Sequence, residues 1–165
     1  MPELVVPTVR MRAAWLEARA EWGPGSHEDG FGLGPADEVG SAEGFAAWVA
    51  RVVGAPGAVS RWIVEDGRVL GGIALRTGPP EVVRRLGHIG YGVRPSARGR
   101  GVATWALGRM VDEAAARGLR RVRLVCAATN TASRRTIERN GGYLDDSRPA
   151  DHGPVRHYLI NCNPA

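Results

Sequence analysis

Arg98-Gly99-Arg100-Gly101-Val102-Ala103 sets two glycines and two arginines between a strand-like run, Ile89 to Arg94, and a long helical pattern that begins near Gly101. A glycine-rich turn feeding a helix start aims several backbone N–H groups at one spot, beside the positive end of the helix dipole. Two guanidinium groups in the same turn add full positive charge. The chemistry this implies is anion binding, with a phosphate or, better, a pyrophosphate as the ligand.

Other elements must hold that turn. Leu4 to Val6 reads as a short strand closed by Pro7, and Thr8 to Trp22 as a helix with Met11, Trp15, Ala18 and Trp22 at helical spacing. Gly23-Pro24-Gly25 stops it. Ser26 to Gly40 is polar, glycine-rich and aperiodic, the profile of a mobile loop that selects substrate. Ser41 can cap a second helix whose Phe45, Trp48, Val49, Val52 and Val53 share a face. Strands follow: Arg61 to Glu65 and Arg68 to Leu75 flank Asp66-Gly67, a strong hairpin turn. Thr77 to Pro80 breaks the chain, and a basic stretch through Arg85 leads to the strand Gly87 to Arg94, ended by Pro95. The glycine turn then enters a helix from Gly101 to about Arg117, with Val102, Trp105, Ala106 and Met110 as its buried side. Arg121 to Ala127 is another strand and Asn130 to Arg139 a short helix; Tyr143-Leu144 and Val155 to Ile160 are two further strands.

Length and composition bound the rest. A chain of 165 residues suits one domain, 1–165, with 44% hydrophobic and 24% charged residues, as in a soluble globular protein. No membrane span and no signal peptide is expected. Cys126 and Cys162 are far apart and show no metal spacing, so no metal is expected and a reduced cytoplasm is the expected location. All 22 basic residues are arginine, with no lysine. Residues 1–66 carry a balance of −5 and residues 67–165 one of +10. An acidic half that would tolerate a cationic substrate thus adjoins a basic half that would attract an anionic cofactor. An arginine-driven nucleic-acid surface is the minority reading, because aromatics are only 6% and no stripe interleaves them with arginine.

With these pieces placed, the chain resembles the GNAT superfamily of N-acetyltransferases, in its poorly characterised bacterial branch. Arg98, Gly101 and Ala103 match the pattern [Q/R]-x-x-G-x-[G/A]; Gly87 to Pro95 resembles the family's central strand, and Asn130 to Gly142 its strand-to-helix segment. The resemblance implies an α/β (α+β) fold with a central, mixed but mostly antiparallel twisted sheet of six to seven strands and about four flanking helices. It implies acetyl-CoA as co-substrate and direct transfer of its acetyl group to a primary amine of a small molecule or peptide. Backbone groups of Arg98, Gly99, Arg100, Gly101, Val102, Ala103 and Thr104 would hold the pyrophosphate. Main chain near Tyr91 and Val93 would take the pantetheine arm, with Asn130 and Ser133 beside it.

The family's usual general acid is a tyrosine on the short helix, and this chain has Ile137 there. Tyr158 and Tyr143 are the replacements to consider. His88, on the central strand, is the leading base, although alternation can equally aim it away from a cleft; Glu65 and Asp66 are other acids near the hairpin. Trp15, Trp22, Trp48 and Trp62 read as core rather than substrate cage. Ile137 also supports a coenzyme A-binding regulatory module without turnover. Oligomeric state is left open, a homodimer included.

Overall fold

The computed structural model describes residues 1–147 and 154–163. The chain divides into two compact units: Met1–Ala74 with Tyr91–Val102, and Leu75–Gly90 with Ala103–Ala165. Two strands pass from one unit to the other, so the division does not follow the charge boundary at residue 66.

The first unit holds β1 (Glu3–Val5), α1 (Arg12–Trp22), α2 (Ala42–Gly54), β2 (Ala58–Glu65), most of β3 (Arg68–Arg76) and the end of β4 (Ile89–Val93). The four strands lie in the order β1-β2-β3-β4, with Leu4 of β1 antiparallel to Ile63 of β2. A 3-10 turn, Val9–Met11, precedes α1 in place of the single helix expected from Thr8, because the Thr8 hydroxyl accepts from the Arg10 N–H and tightens the first turn. Ser41 caps α2 as expected, its Oγ accepting from the Gly44 N–H at 3.0 Å. Phe45, Trp48, Val49 and Val52 then fall on one buried face and pack with Trp15, Ala18, Phe31, Trp62, Val64 and Val69. Val53, expected on that face, is instead exposed, because it follows Val52 by about 100° around the helix. Trp15 and Trp48 have ring centroids 4.7 Å apart. Truncating one such ring to alanine costs about 3–5 kcal/mol, so these tryptophans are core.

Phe31 is the surprise of this unit. It comes from the loop read as mobile, yet it is buried in the aromatic cluster. The Asp29 carboxylate accepts from the Phe31 N–H at 2.9 Å, and the Asp29 carbonyl accepts from the Gly72 N–H at 3.1 Å. A Cβ on Gly92 would stand 2.1 Å from the Glu28 carbonyl oxygen, and one on Gly72 2.6 Å from the Phe31 ring. Glycine is required at both positions for the loop to lie against the sheet.

The second unit holds the end of β3, α3 (Pro80–Leu86), the start of β4, α4 (Val102–Ala116) from Ala103 onward, β5 (Arg121–Ala127), α5 (Thr131–Arg139), β6 (Tyr143–Leu144) and β7 (Val155–Asn161). Its strands run β5-β7-β6, both pairs antiparallel, with Leu124 opposite Tyr158. Leu107, Met110, Leu124, Ile137 and Ile160 are buried, and α3 and α5 both contact β5. Just ahead of β4, Gly87 bridges to Leu124 and the His88 N–H donates to the Arg123 carbonyl at 2.7 Å.

The α/β class with mostly antiparallel pairing is as expected, and so is the number of strands. Two details differ. Among the described residues the strands form ladders of four and three and there are five helices, α3 being the addition. No described helix is long and apolar enough to cross a membrane.

Candidate active site

Pro95 ends β4 and starts a 3-10 turn, Pro95–Ala97, that leads into the glycine turn. Gly99 and Gly101 both take left-handed backbone, with φ of 74° and 78°, a region that disfavours side chains. No heavy atom lies within 4 Å of where a Cβ would stand on either. The two glycines therefore set the path of the chain and leave open space before it. Helix α4 opens at Val102 and runs 15 residues. Its first N–H groups, Val102 to Thr104, have no acceptor within the helix. Backbone amides at a helix start, the helix dipole and open space at both glycines fit a diphosphate.

The two arginines of the turn are engaged differently. Arg98 Nε donates to the Val93 carbonyl at 2.8 Å, folding the turn back on β4. Arg100 Nη2 donates to Glu65 Oε2 at 2.6 Å, and this bond holds the Glu65 carboxyl below its usual range.

A buried cation anchors the approach to the turn. The Arg94 side chain is 4% exposed, donates from Nε to Glu21 and from Nη2 to Glu17 at 2.6 and 2.8 Å, and reaches the Val69 carbonyl. Glu21 also accepts from the Ser96 N–H and hydroxyl. Helix α1 is thereby tied to the residues that launch the glycine turn. Sequence reading passed over Arg94; the available signal was the pair Glu17 and Glu21, four apart on one helix face without a cation of their own.

The edge of β4 is set by alternation. The Arg94 N–H bonds to Leu70 of β3, so the main-chain groups of Tyr91 and Val93 point to the opposite edge of the sheet. The Val93 carbonyl, taken by Arg98, shows that direction.

In the second unit, Asn130 caps α5, its Oδ1 accepting from the Ser133 N–H at 3.0 Å. With Oδ1 committed, the side-chain amide is the donor Asn130 can offer a ligand. Asn140 ties α5 to α4 by donating to the Thr104 carbonyl at 3.1 Å. Ile137 is buried hydrocarbon, unable to supply a proton. Tyr158, on β7, places its Oη against the same helix, accepting from Arg134 Nε at 3.2 Å and donating to Glu138 at 3.3 Å. Tyr143, on β6, donates instead to Asn161.

His88 accepts the Arg123 N–H at its Nδ1, 2.8 Å away. Burial, reinforced by Arg123 and Arg76, pushes its pKa down. The neutral ring therefore carries its proton on Nε2.

The acidic balance of the N-terminal half is largely internal. Glu17 and Glu21 hold Arg94, Asp29 holds Arg19, Asp37 holds Arg51 and Glu65 holds Arg100. Glu38 accepts from the Ser41 hydroxyl at 2.6 Å. These carboxylates already have partners within the protein.

The acetyltransferase (GNAT) family profile matches residues 16–143, more than half of the chain. The chain belongs to the GNAT acetyltransferase family. Its class, an N-acetyltransferase, follows from that membership. The matched region contains the turn, β4, α5 and Ile137, whereas Tyr158 lies beyond it. No curated protein sequence matches this GNAT chain closely enough to count as a relative. Solved structures do resemble it. One is RimL, the ribosomal L7/L12 alpha-N-protein acetyltransferase in complex with coenzyme A: TM-score 0.71, 19% identity, with 99% of this chain and 96% of that one covered. Another is the microcin C7 self-immunity acetyltransferase MccE in complex with acetyl-CoA and AMP: TM-score 0.68, 14% identity, 97% and 92% covered. A third is the Salmonella typhimurium acetyl transferase that modifies the N-terminal serine of ribosomal protein L7/L12: TM-score 0.69, 19% identity, 98% and 95% covered. At these identities the likeness is one of fold. Among the described residues of this GNAT protein, no group of His, Cys, Asp and Glu could hold a metal ion.

Proposed function

We propose that this protein, acting as one catalytic domain over 1–165, transfers the acetyl group of acetyl-CoA directly to a primary amine. The observation that carries the reading is the turn itself: two left-handed glycines with open space before them, set at the first turn of α4. Amides from Arg100 to Thr104 take the pyrophosphate, and Arg100 adds charge once it exchanges Glu65 for a phosphate oxygen. Tyr91 and Val93 receive the pantetheine arm along the edge of β4, with the amide of Asn130 and Ser133 as further partners. Coenzyme A supplies the activated thioester, and a β4 main-chain N–H polarises its carbonyl as charge grows on oxygen. Tyr158, oriented by Arg134 and Glu138, protonates the departing sulfur in place of the tyrosine that Ile137 replaces. His88 enters as an N–H donor, because its Nδ1 lone pair is engaged by Arg123, and the amine gives its proton to water. Five carboxylates of the N-terminal half are engaged by arginines, so its acidic balance supports a cationic acceptor less than the count alone would.

Thiol release from acetyl-CoA across a panel of chemically distinct amines tests this. Tyr158→Phe is expected to lower kcat by about tenfold or more while leaving the KM for acetyl-CoA unchanged. His88→Ala is expected to keep the acidic limb of the pH–rate profile; a base would take that limb with it. Tight acetyl-CoA binding without thiol release from any amine would favour the regulatory reading, which buried Ile137 supports.

The Arg100–Glu65 pair gives a second check. Glu65→Gln frees the guanidinium, and acetyl-CoA affinity is expected to rise about two- to threefold, within the range of an exposed ion pair. Arg100→Ala is expected to lower it about tenfold. Equal affinities in the two variants would remove Arg100 from the phosphate site.

A further inference from the structure

A cavity of about 580 Å³ opens within the second unit, lined by His88, Arg120, Arg121, Arg123, Leu159 and Asn161 among others. Among the described residues, no carboxylate lines it. Alternation along β5 and β7 sends Arg121, Arg123, Leu159 and Asn161 to one face of the ladder, opposite to Leu124 and Tyr158. The charges in the cavity are not equivalent. Arg123 donates to Asp145 at 2.7 Å, and bonds from Ser147 and Arg123 hold that carboxyl down to about 2, so Arg123 is neutralised at any working pH. Arg120 and Arg121 are exposed, and neither has an ion pair among the described residues. Neutral His88, with Nδ1 accepting from the Arg123 N–H, contributes Nε2–H as its donor. Asn161 is held by Tyr143, whose Oη donates to Asn161 Oδ1 at 3.0 Å, so its amide nitrogen is the group left to donate. The side-chain groups left to a ligand are donors, and among the described residues the uncompensated charge of the cavity is positive.

We propose that this cavity binds an anionic group, a phosphate or a carboxylate, through Arg120, Arg121 and the Nε2–H of His88. Two guanidinium forks and a neutral imidazole donor suit a tetrahedral or planar oxyanion and offer nothing to an ammonium group. The anion belongs either to the acceptor, as a charged group carried near its amine, or to a separate ligand. His88 lies just ahead of β4, three residues before Tyr91, so at most about 11 Å of chain separates their Cα atoms. Anion binding stands on the second unit alone; its assignment to the acceptor rests on the acetyltransferase reading above.

The probe is inorganic phosphate, titrated at constant ionic strength with coenzyme A present in excess to fill the diphosphate turn. The readout is the imidazole NMR signal of His88, assigned by its loss in His88→Gln. A saturable shift is expected in the wild-type protein, weakened about tenfold or more in Arg120→Ser/Arg121→Ser. Both arginines are exposed, so the variant should keep its melting temperature; Arg121→Glu, which reverses one charge, should abolish the shift. No saturable shift, or an equal one in the double variant, overturns the proposal. The source is read in the thiol-release assay with the best amine. Phosphate that raises the KM for the amine but not for acetyl-CoA assigns the cavity to an anionic group of the acceptor; an unchanged amine KM assigns it to a separate ligand. Failure of acetyl-CoA to bind would sink the acetyltransferase reading and leave the His88 titration intact.

Discussion

Gly101→Glu is expected to lower acetyl-CoA affinity by at least about 100-fold, as read by calorimetry. Two costs combine. A side chain at φ 78° is strained by about 1–2 kcal/mol, so the turn relaxes away from the path that points its amides together. The new carboxylate also enters the open space before the turn, where the diphosphate would sit, and repels it. Losing even one or two charge-assisted hydrogen bonds, at about 1.5–3 kcal/mol each, supplies the rest. Gly101→Asn separates the two effects, because asparagine tolerates left-handed backbone and brings no charge; its affinity is expected to fall by only about fivefold. Both variants should unfold cooperatively, since nothing packs within 4 Å of the added Cβ. A Gly101→Glu protein that binds acetyl-CoA within threefold of wild type would remove the turn from the cofactor site.

Local rules made much of the fold legible. The β5 and β6 limits, the Ser41 and Asn130 caps and the buried face of α2 follow from alternation, helical spacing and side-chain capping. Helix α3 was hidden because Thr77-Gly-Pro-Pro80 reads as a break, although Pro80 at a first helical position is also a start signal, and Arg84, Arg85 and Glu81 mask the buried Val83. Phe31 was hidden because composition made its loop polar, and the glycines that receive it, Gly72 and Gly92, are some 40 and 60 residues away, a distance no periodicity spans. In the site, the glycine turn was legible because adjacent residues build it. His88 was not: its role depends on which ring nitrogen meets the Arg123 N–H, a contact 35 residues apart in sequence. The pairing within the acidic half was hidden for the same reason, since charge balance counts Glu17, Glu21, Asp29, Asp37 and Glu65 without showing that each has an arginine.

Arg94→Ala is expected to destabilise the protein by about 3 kcal/mol, the lower range for removing one partner of a buried ion cluster. The guanidinium is 4% exposed and bridges Glu17, Glu21 and the Val69 carbonyl, so its loss leaves Glu21 without its cation and Glu17 with only the exposed Arg68. Arg94→Lys should recover less than half, because one ammonium cannot span both carboxylates and the carbonyl. The effect should also reach the cofactor. Glu21 holds Ser96 at the start of the glycine turn, so the KM for acetyl-CoA is expected to rise about fivefold with little change in kcat, the pattern of lost uniform binding. The pH dependence has a definite sign. For Glu21, burial raises the pKa, but hydrogen bonds from Ser96 and Arg94 outweigh it and the net shift is downward; bonds from Arg94 and Arg68 lower Glu17. Carboxyls depressed in the folded state add stability that is complete above the unfolded value of 4.5 and is lost as pH falls through the lowered folded values. The gap in Tm between wild type and Arg94→Ala should therefore be widest near neutrality and narrow below about pH 4.5. A gap that stays constant from pH 7 to pH 3 would mean that Arg94 stabilises the unit by packing alone, and the ion cluster would lose its place as the anchor of the turn.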